Sequence, residues 1–148
     1  MTDESITLRK ADVANLDRVE ALLEANDLPS EDVRAKPECF LLAYADAEWI
    51  GVGGVEIYGP NGLLRSVVVR ESNRGQGYGR TLCDALEDHA RANGVETLYL
   101  LTTTASEFFR QRGYEEVDRE CVPGSVRGTT EFSDLCPSSA TCARRDLR

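Results

Sequence analysis

The stretch LLRSVVVRESNRGQGYGRTLCDALEDHA, residues 63–90, constrains the fold more than any other part of the chain. Its opening, LLRSVVV at 63–69, is too uniformly apolar for an exposed edge strand. Leu82, Leu86 and Ala90 then recur at the spacing of one helix face, and Asn93-Gly94 supplies the stop. Between strand and helix stands RGQGYG, residues 74–79. Glycines let backbone N–H groups approach an anion closely, and the helix behind them turns its donors and its dipole toward negative charge. Arg74 and Arg80 flank the turn and can add charge to those donors. No GK[ST] follows, so this is not a nucleoside-triphosphate loop, and Gly75, Gly77 and Gly79 make GxGxG rather than the dinucleotide GxGxxG. By mechanism alone the turn either holds a phosphate or diphosphate or is a structural tight turn.

The remaining pattern sets this unit in a mixed sheet. Residues 6–11 suit a first strand, and Asp12 is the expected cap of a helix in which Val13, Leu16, Val19, Leu22 and Leu23 repeat at helical spacing. Ser30 opens a short second helix that Pro37 ends. CFLLAYA at 39–45 and EWIGVGGVEIYG at 48–59 read as an antiparallel pair joined near Asp46 and Ala47. TLYLLTT at 97–103 is a further central strand, SEFFRQRG at 106–113 a short helix with a glycine stop, and YEEV a strand. After residue 118 come a turn-like VPGS, a strand at RGTTEF and a polar tail in which LCPSSATC resists assignment. The expectation is one α/β (α+β mixed) domain over 1–148 with its core at about 6–132: a mostly antiparallel sheet flanked by helices. The order of elements disfavours a complete dinucleotide-binding fold.

Charge narrows the partners. The formal net charge of -9 opposes association with nucleic acid or an anionic membrane, and no run of apolar residues is long enough for a spanning helix. The start MTDESITLRK lacks the basic and greasy segments of a signal peptide, so the cytoplasm is the expected location. Lys10 and Lys36 are the only lysines, and with the excess of acid this resembles a protein of a salt-rich cytoplasm. Cys39, Cys83, Cys121, Cys136 and Cys142 form no CxxC pair and read as buried or free thiols, and the lone His89 has no companion for a metal.

At this point residues 64–94 resemble the acetyl-CoA binding region of the GCN5-related N-acetyltransferase (GNAT) superfamily, with Arg74, Gly77 and Gly79 in its signature positions. The strand before, the helix after, and RGY at 112–114 in place of the usual RxGF ending extend the likeness over about 6–132. The resemblance implies acetyl-CoA as acyl donor, lying in a cleft that splits the sheet between 63–69 and 97–103. The backbone of Val67 and Val69 is then expected to pair with the pantetheine arm, and the amides around Gly75, Gln76, Gly77, Tyr78 and Gly79, with Arg80, to take the pyrophosphate. An N–H near Val67 would polarise the thioester carbonyl. LLRSVVV, YLLTTTASEFF and TTEFSDLCPSSATC further resemble an arsenic-resistance-associated group within the superfamily. Many superfamily members are homodimers, which extends the expectation to a homodimer here.

Acetyl transfer needs a deprotonated amine and a proton for the departing thiolate. The tyrosine that many members place one turn before RxGF is Phe109 here, so the usual acid is missing. Glu56, in the apolar strand next to the proposed cofactor strand, is the candidate base; the alternatives are a pair with Arg65 or a solvent-facing position. Arg65 suits an anionic, amino-acid-like acceptor, or an ion pair within the chain. Thr103 ends the second strand where its hydroxyl can meet pantetheine or substrate. Tyr58, Tyr78, Tyr99 and Tyr114 read as packing residues with a polar tip, and Tyr58 is also a stand-in to test for the missing acid. Cys136 and Cys142 invite an arsenical, although their spacing is unlike a compact chelate. The reading that emerges is an N-acetyltransferase acting on the amine of a small molecule. Its rivals are a non-catalytic acyl-CoA-binding module and a protein or peptide N-acetyltransferase.

Overall fold

The computed structural model describes residues 6–147 apart from 27, 29, 31, 32, 76, 103, 104 and 130–139. Its elements run β1 (Thr7–Lys10), α1 (Leu16–Ala25), β2 (Phe40–Ala45), β3 (Glu48–Tyr58), β4 (Asn61–Val69), α2 (Tyr78–Ala92), β5 (Thr97–Thr102), α3 (Ser106–Gln111), β6 (Glu115–Glu116), α4 (Gly124–Arg127) and β7 (Thr141–Asp146). This is the α/β fold expected, a mixed seven-stranded sheet with strand order β1-β2-β3-β4-β5-β7-β6. β1, β2 and β3 pair antiparallel in series, as do β5, β7 and β6, while β4 runs parallel to β5 from Asn61↔Thr97 to Leu63↔Tyr99. No helix of the described residues is long and apolar enough to cross a membrane.

The chain divides into two compact units, and the first comprises residues 1–55 and 66–89. Its core is built from Leu16, Val19 and Leu23 of α1 with Ala11, Val33, Phe40, Leu42, Val52 and Val68. The expected cap of α1 moves: Asn15 is the N-cap, and Asp12 instead accepts from the Asn15 amide at 3.1 Å, closing the turn before the helix. Val13 therefore lies outside the apolar stripe and is 83% exposed. Pro37 opens a second short 3₁₀ turn, Pro37–Cys39, after the one at Val33–Ala35, as suits a residue with no N–H to leave unsatisfied at a first helical position. The β2–β3 hairpin turns through Asp46 and Ala47, both left-handed, as a tight two-residue turn requires. A Cβ on Gly51 would sit 2.3 Å from the carbonyl oxygen of Val68, so only glycine lets β3 and β4 approach this closely.

The second unit comprises residues 56–65 and 90–148. Leu63, Tyr99, Val122, Val126 and Cys142 form its core, with Tyr58, Leu101 and Val117 packed against them. Two expectations for the C-terminal region are corrected here. Arg127, expected to open the strand RGTTEF, is instead the last residue of a helical turn, Gly124–Arg127, and the Thr129 hydroxyl donates to the Val126 carbonyl at 2.7 Å; residues 130–132 of RGTTEF lie outside the described residues. What reads as a polar tail contains β7, which pairs with β5 along all six of its residues, so the sheet extends past 132. TCARRD buries only small side chains, Cys142 and Ala143, and draws its apolar partners from β5, which leaves little local signal.

Candidate functional site

The glycine turn has the geometry its spacing implies. Gly75 and Gly77 both adopt φ 81°, the left-handed region that an L side chain enters at a cost. α2 begins at Tyr78, so Gly79 and Arg80 lie in its first turn, where backbone donors have no acceptor within the helix. A Cβ on Gly75 would meet nothing within 4 Å, so the backbone there is open to a ligand. Tyr78 and Gly79 are half-buried, Gly77 and Arg80 exposed, and Gln76 lies outside the described residues.

Arg74 behaves differently from its expected part as a charge aimed at the anion. Its Nε donates to the Val69 carbonyl at 3.0 Å and its terminal nitrogen to Asn26 Oδ1 at 2.6 Å. It ties the turn to β4 and to the end of α1. Four residues that sequence reasoning missed complete this brace. Arg70 stacks on the Trp49 ring at 4.5 Å and donates to the Trp49 carbonyl at 3.0 Å, and Asn73 donates to Glu48 at 3.0 Å. Beside them a cavity of about 430 Å³ is lined by Leu22, Ala25, Asn26, Arg70, Glu71, Ser72 and Arg74. In β4 itself Val68 is buried while Val67 and Val69 are half-buried, so the latter two share the opposite face.

Just ahead of them the strand alternation breaks. Ser66 takes φ 59°, and Leu63, Leu64, Arg65 and Ser66 are buried in succession.

Glu56, Tyr58 and Arg65 come together in the second unit, around the hairpin that turns at Gly59. Glu56 and Tyr58 lie two apart on β3 and share a face, and β4 returns Arg65 beside them. Arg65 NH1 donates to Glu56 Oε2 at 2.9 Å, with the two side chains 0% and 1% exposed. The Tyr58 hydroxyl donates to Glu56 Oε1. Arg65, expected to receive an anionic acceptor, is thus fully buried against Glu56, the ion-pair alternative that its place in an apolar strand also allowed. A carboxylate buried this deeply persists because both of its oxygens accept hydrogen bonds.

The other expected positions lie apart from this cluster or add little to it. Thr103 lies outside the described residues; the neighbouring Thr102 accepts from the Ala105 amide at 3.0 Å. Phe109 is buried edge-to-face between Phe108 and Tyr114, at ring separations of 5.1 and 5.4 Å. Cys142 is buried, which pushes its thiol up to about 11 against the opposing pull of Arg119, and Cys136 falls outside the described residues. His89 is held below its ordinary value first by burial and then by Lys10. Among the described residues no group of three or more His, Cys, Asp or Glu is placed to hold a metal ion.

Comparison with known proteins agrees with this geometry. Residues 10–116 match the acetyltransferase (GNAT) family. An amino-acid acetyltransferase of Pseudomonas syringae pv. tomato is 41% identical over 72 residues, 49% of this chain and 17% of that protein. One from Pseudomonas fluorescens is 38% identical over 64 residues, 43% of this chain and 15% of that protein. The matched segment is thus less than a fifth of these relatives' length. Among solved structures, N-acetylglutamate synthase from Neisseria gonorrhoeae, complexed with coenzyme A and N-acetyl-glutamate, superposes with a TM-score of 0.82 at 20% identity, covering 99% of this chain and 36% of that one. A GNAT-family acetyltransferase from Staphylococcus aureus superposes at 0.72 and 16% identity, covering 97% of this chain and 100% of the other. At such identities the likeness establishes the fold.

Proposed function

The chain belongs to the acetyltransferase (GNAT) family, and from that premise we propose that it transfers the acetyl group of acetyl-CoA to the primary amine of a small, amino-acid-like acceptor. What carries the reading is an open turn with left-handed Gly75 and Gly77 directly before α2, inside the segment that matches the family. In this proposal the amides of residues 75–79 and the exposed Arg80 take the pyrophosphate, while Arg74 holds the turn in shape from behind. The backbone of Val67 and Val69 pairs with the pantetheine arm as a neighbouring strand would. The donor supplies the activated acetyl group; the chain supplies its binding, the placement of the acceptor and a route for protons.

Glu56 is the proposed base. Arg65 holds its carboxylate in one orientation rather than meeting the acceptor itself. An amino-acid-like acceptor is supported by the relatives that carry that name, and by a carboxylate at the end of the Tyr58–Glu56 hydrogen bond that can draw a proton from an ammonium group. The resemblance to an arsenic-resistance-associated group adds amino-containing arsenicals to the acceptors worth offering. Thiol release from acetyl-CoA, measured across the common amino acids, amino-containing arsenicals, polyamines and a basic peptide, tests the reading. Turnover with amino acids or their arsenical analogues is expected, and turnover only with the peptide, or with none of them, overturns it.

A further inference from the structure

In the cavity of about 430 Å³ beside the glycine turn, charges of both signs meet without cancelling. Every residue of its wall belongs to the first compact unit. Arg70 and Arg74 line it together with Glu71, yet among the described residues no hydrogen bond or ion pair joins the Glu71 carboxylate to either guanidinium. The partners of the two arginines are neutral: the carbonyl and ring of Trp49 for Arg70, the Val69 carbonyl and the Asn26 amide oxygen for Arg74. Such partners hold the forks in place without neutralising them. Glu71 is exposed, and its carboxylate makes no ion pair among the described residues.

Two cations and one carboxylate in a single concavity are the complement of a molecule that itself carries both signs. Leu22 and Ala25 add an apolar stretch of wall, and the volume lies within the roughly 300–1,000 Å³ usual for small-molecule sites. A phosphate is a poorer match. Glu71 repels it, and α1 ends at Ala25 with Asn26 as its C-cap, which turns the negative end of the helix dipole toward the cavity. The same two features suit an ammonium group.

We propose that this cavity binds a free amino acid with a small apolar side chain, its carboxylate held by Arg70 and Arg74, its ammonium group by Glu71, and its side chain against Leu22 and Ala25. The inference goes beyond acetyl transfer and requires neither acetyl-CoA nor Glu56. Arg70 also gives the site its own signal, because its guanidinium stacks at 4.5 Å on Trp49, the single tryptophan of the chain. A carboxylate drawn to the edge of that guanidinium weakens its pull on the indole ring, so occupancy is read as a change in tryptophan emission.

The experiment titrates the wild-type chain, without acetyl-CoA, with L-valine, with isobutylamine, which lacks the carboxylate, with isovalerate, which lacks the ammonium group, and with inorganic phosphate. Calorimetry repeats each titration, so that affinity is not read from Trp49 alone. Emission is expected to change saturably with L-valine, and the Kd to be higher by about 10-fold or more for each of the other three. Glu71→Gln removes an exposed charge that holds no ion pair among the described residues, so the fold is retained. It should weaken L-valine by about 10-fold and leave isovalerate no weaker, a split that a merely structural role would not produce. No saturable binding of L-valine, isovalerate or phosphate bound as tightly as L-valine, or a Glu71→Gln variant without that split, overturns the inference. Each of these results leaves the acetyl-transfer reading as it was.

Discussion

At the scale of single residues the account rests on the Glu56–Arg65 pair, whose side chains are 1% and 0% exposed. Two charges at that depth are costly to bury, and removing one leaves the other uncompensated. Arg65→Met is expected to cost about 3–5 kcal/mol in urea unfolding, and Arg65→Met combined with Glu56→Met distinctly less; equal costs would mean that the pair is not buried as described. Cys142 gives a second check. Its thiol is raised from 9.0 to about 11 by burial, so between those values the folded chain keeps a proton that the unfolded chain has lost. Stability is therefore expected to fall as pH rises from about 9 to about 11 and to be untouched by this group below that window. Wild type should lose more stability across the window than Cys142→Ala, as read from urea midpoints. Which residues deserved attention was legible in the sequence, because an acid and a base in two apolar strands stand out. Their pairing was one reading among several until the β3–β4 hairpin brought nine residues of separation down to 2.9 Å.

At the scale of elements the strand–turn–helix unit was the most legible part of the chain, since glycine spacing and helical periodicity report on the same structure from both sides. Its conformational claim is testable. Gly75→Ala meets no neighbour within 4 Å and bears only the left-handed backbone, which costs roughly 1–2 kcal/mol. Gly51→Ala forces a carbon to 2.3 Å from a backbone oxygen that cannot swing aside. Urea unfolding should rank Gly51→Ala as the more damaging, and the reverse order would contradict the described packing. Gly75→Ala, in turn, is the one expected to raise the KM for acetyl-CoA. Elements without an apolar stripe of their own were not legible. β7 carries Thr, Arg and Asp alongside two small buried residues, and becomes a strand only because β5 and β6 lie on either side of it. The irregularity at Ser66 has no residue signature either, since serine is not a residue of left-handed strand positions.

At the scale of the whole molecule, composition excludes more than it selects. A net charge of -9 disfavours polyanionic partners, and the proposed anionic donor would accordingly be met by local donors at one turn rather than by a general field. Residues 10–116 place the chain in the acetyltransferase (GNAT) family, the premise of the proposed chemistry. In the proposed reading the acceptor depends on other residues, Glu56 first among them. The most direct test of the central claim follows the acetyl group itself. Acetyl-CoA labelled in the acetyl carbon is incubated with the chain and a mixture of amino acids, and products are identified by mass spectrometry alongside thiol release. The account requires the label to appear as an N-acetyl amino acid, one for each thiol released. Label recovered as free acetate, or only on peptide, would contradict it.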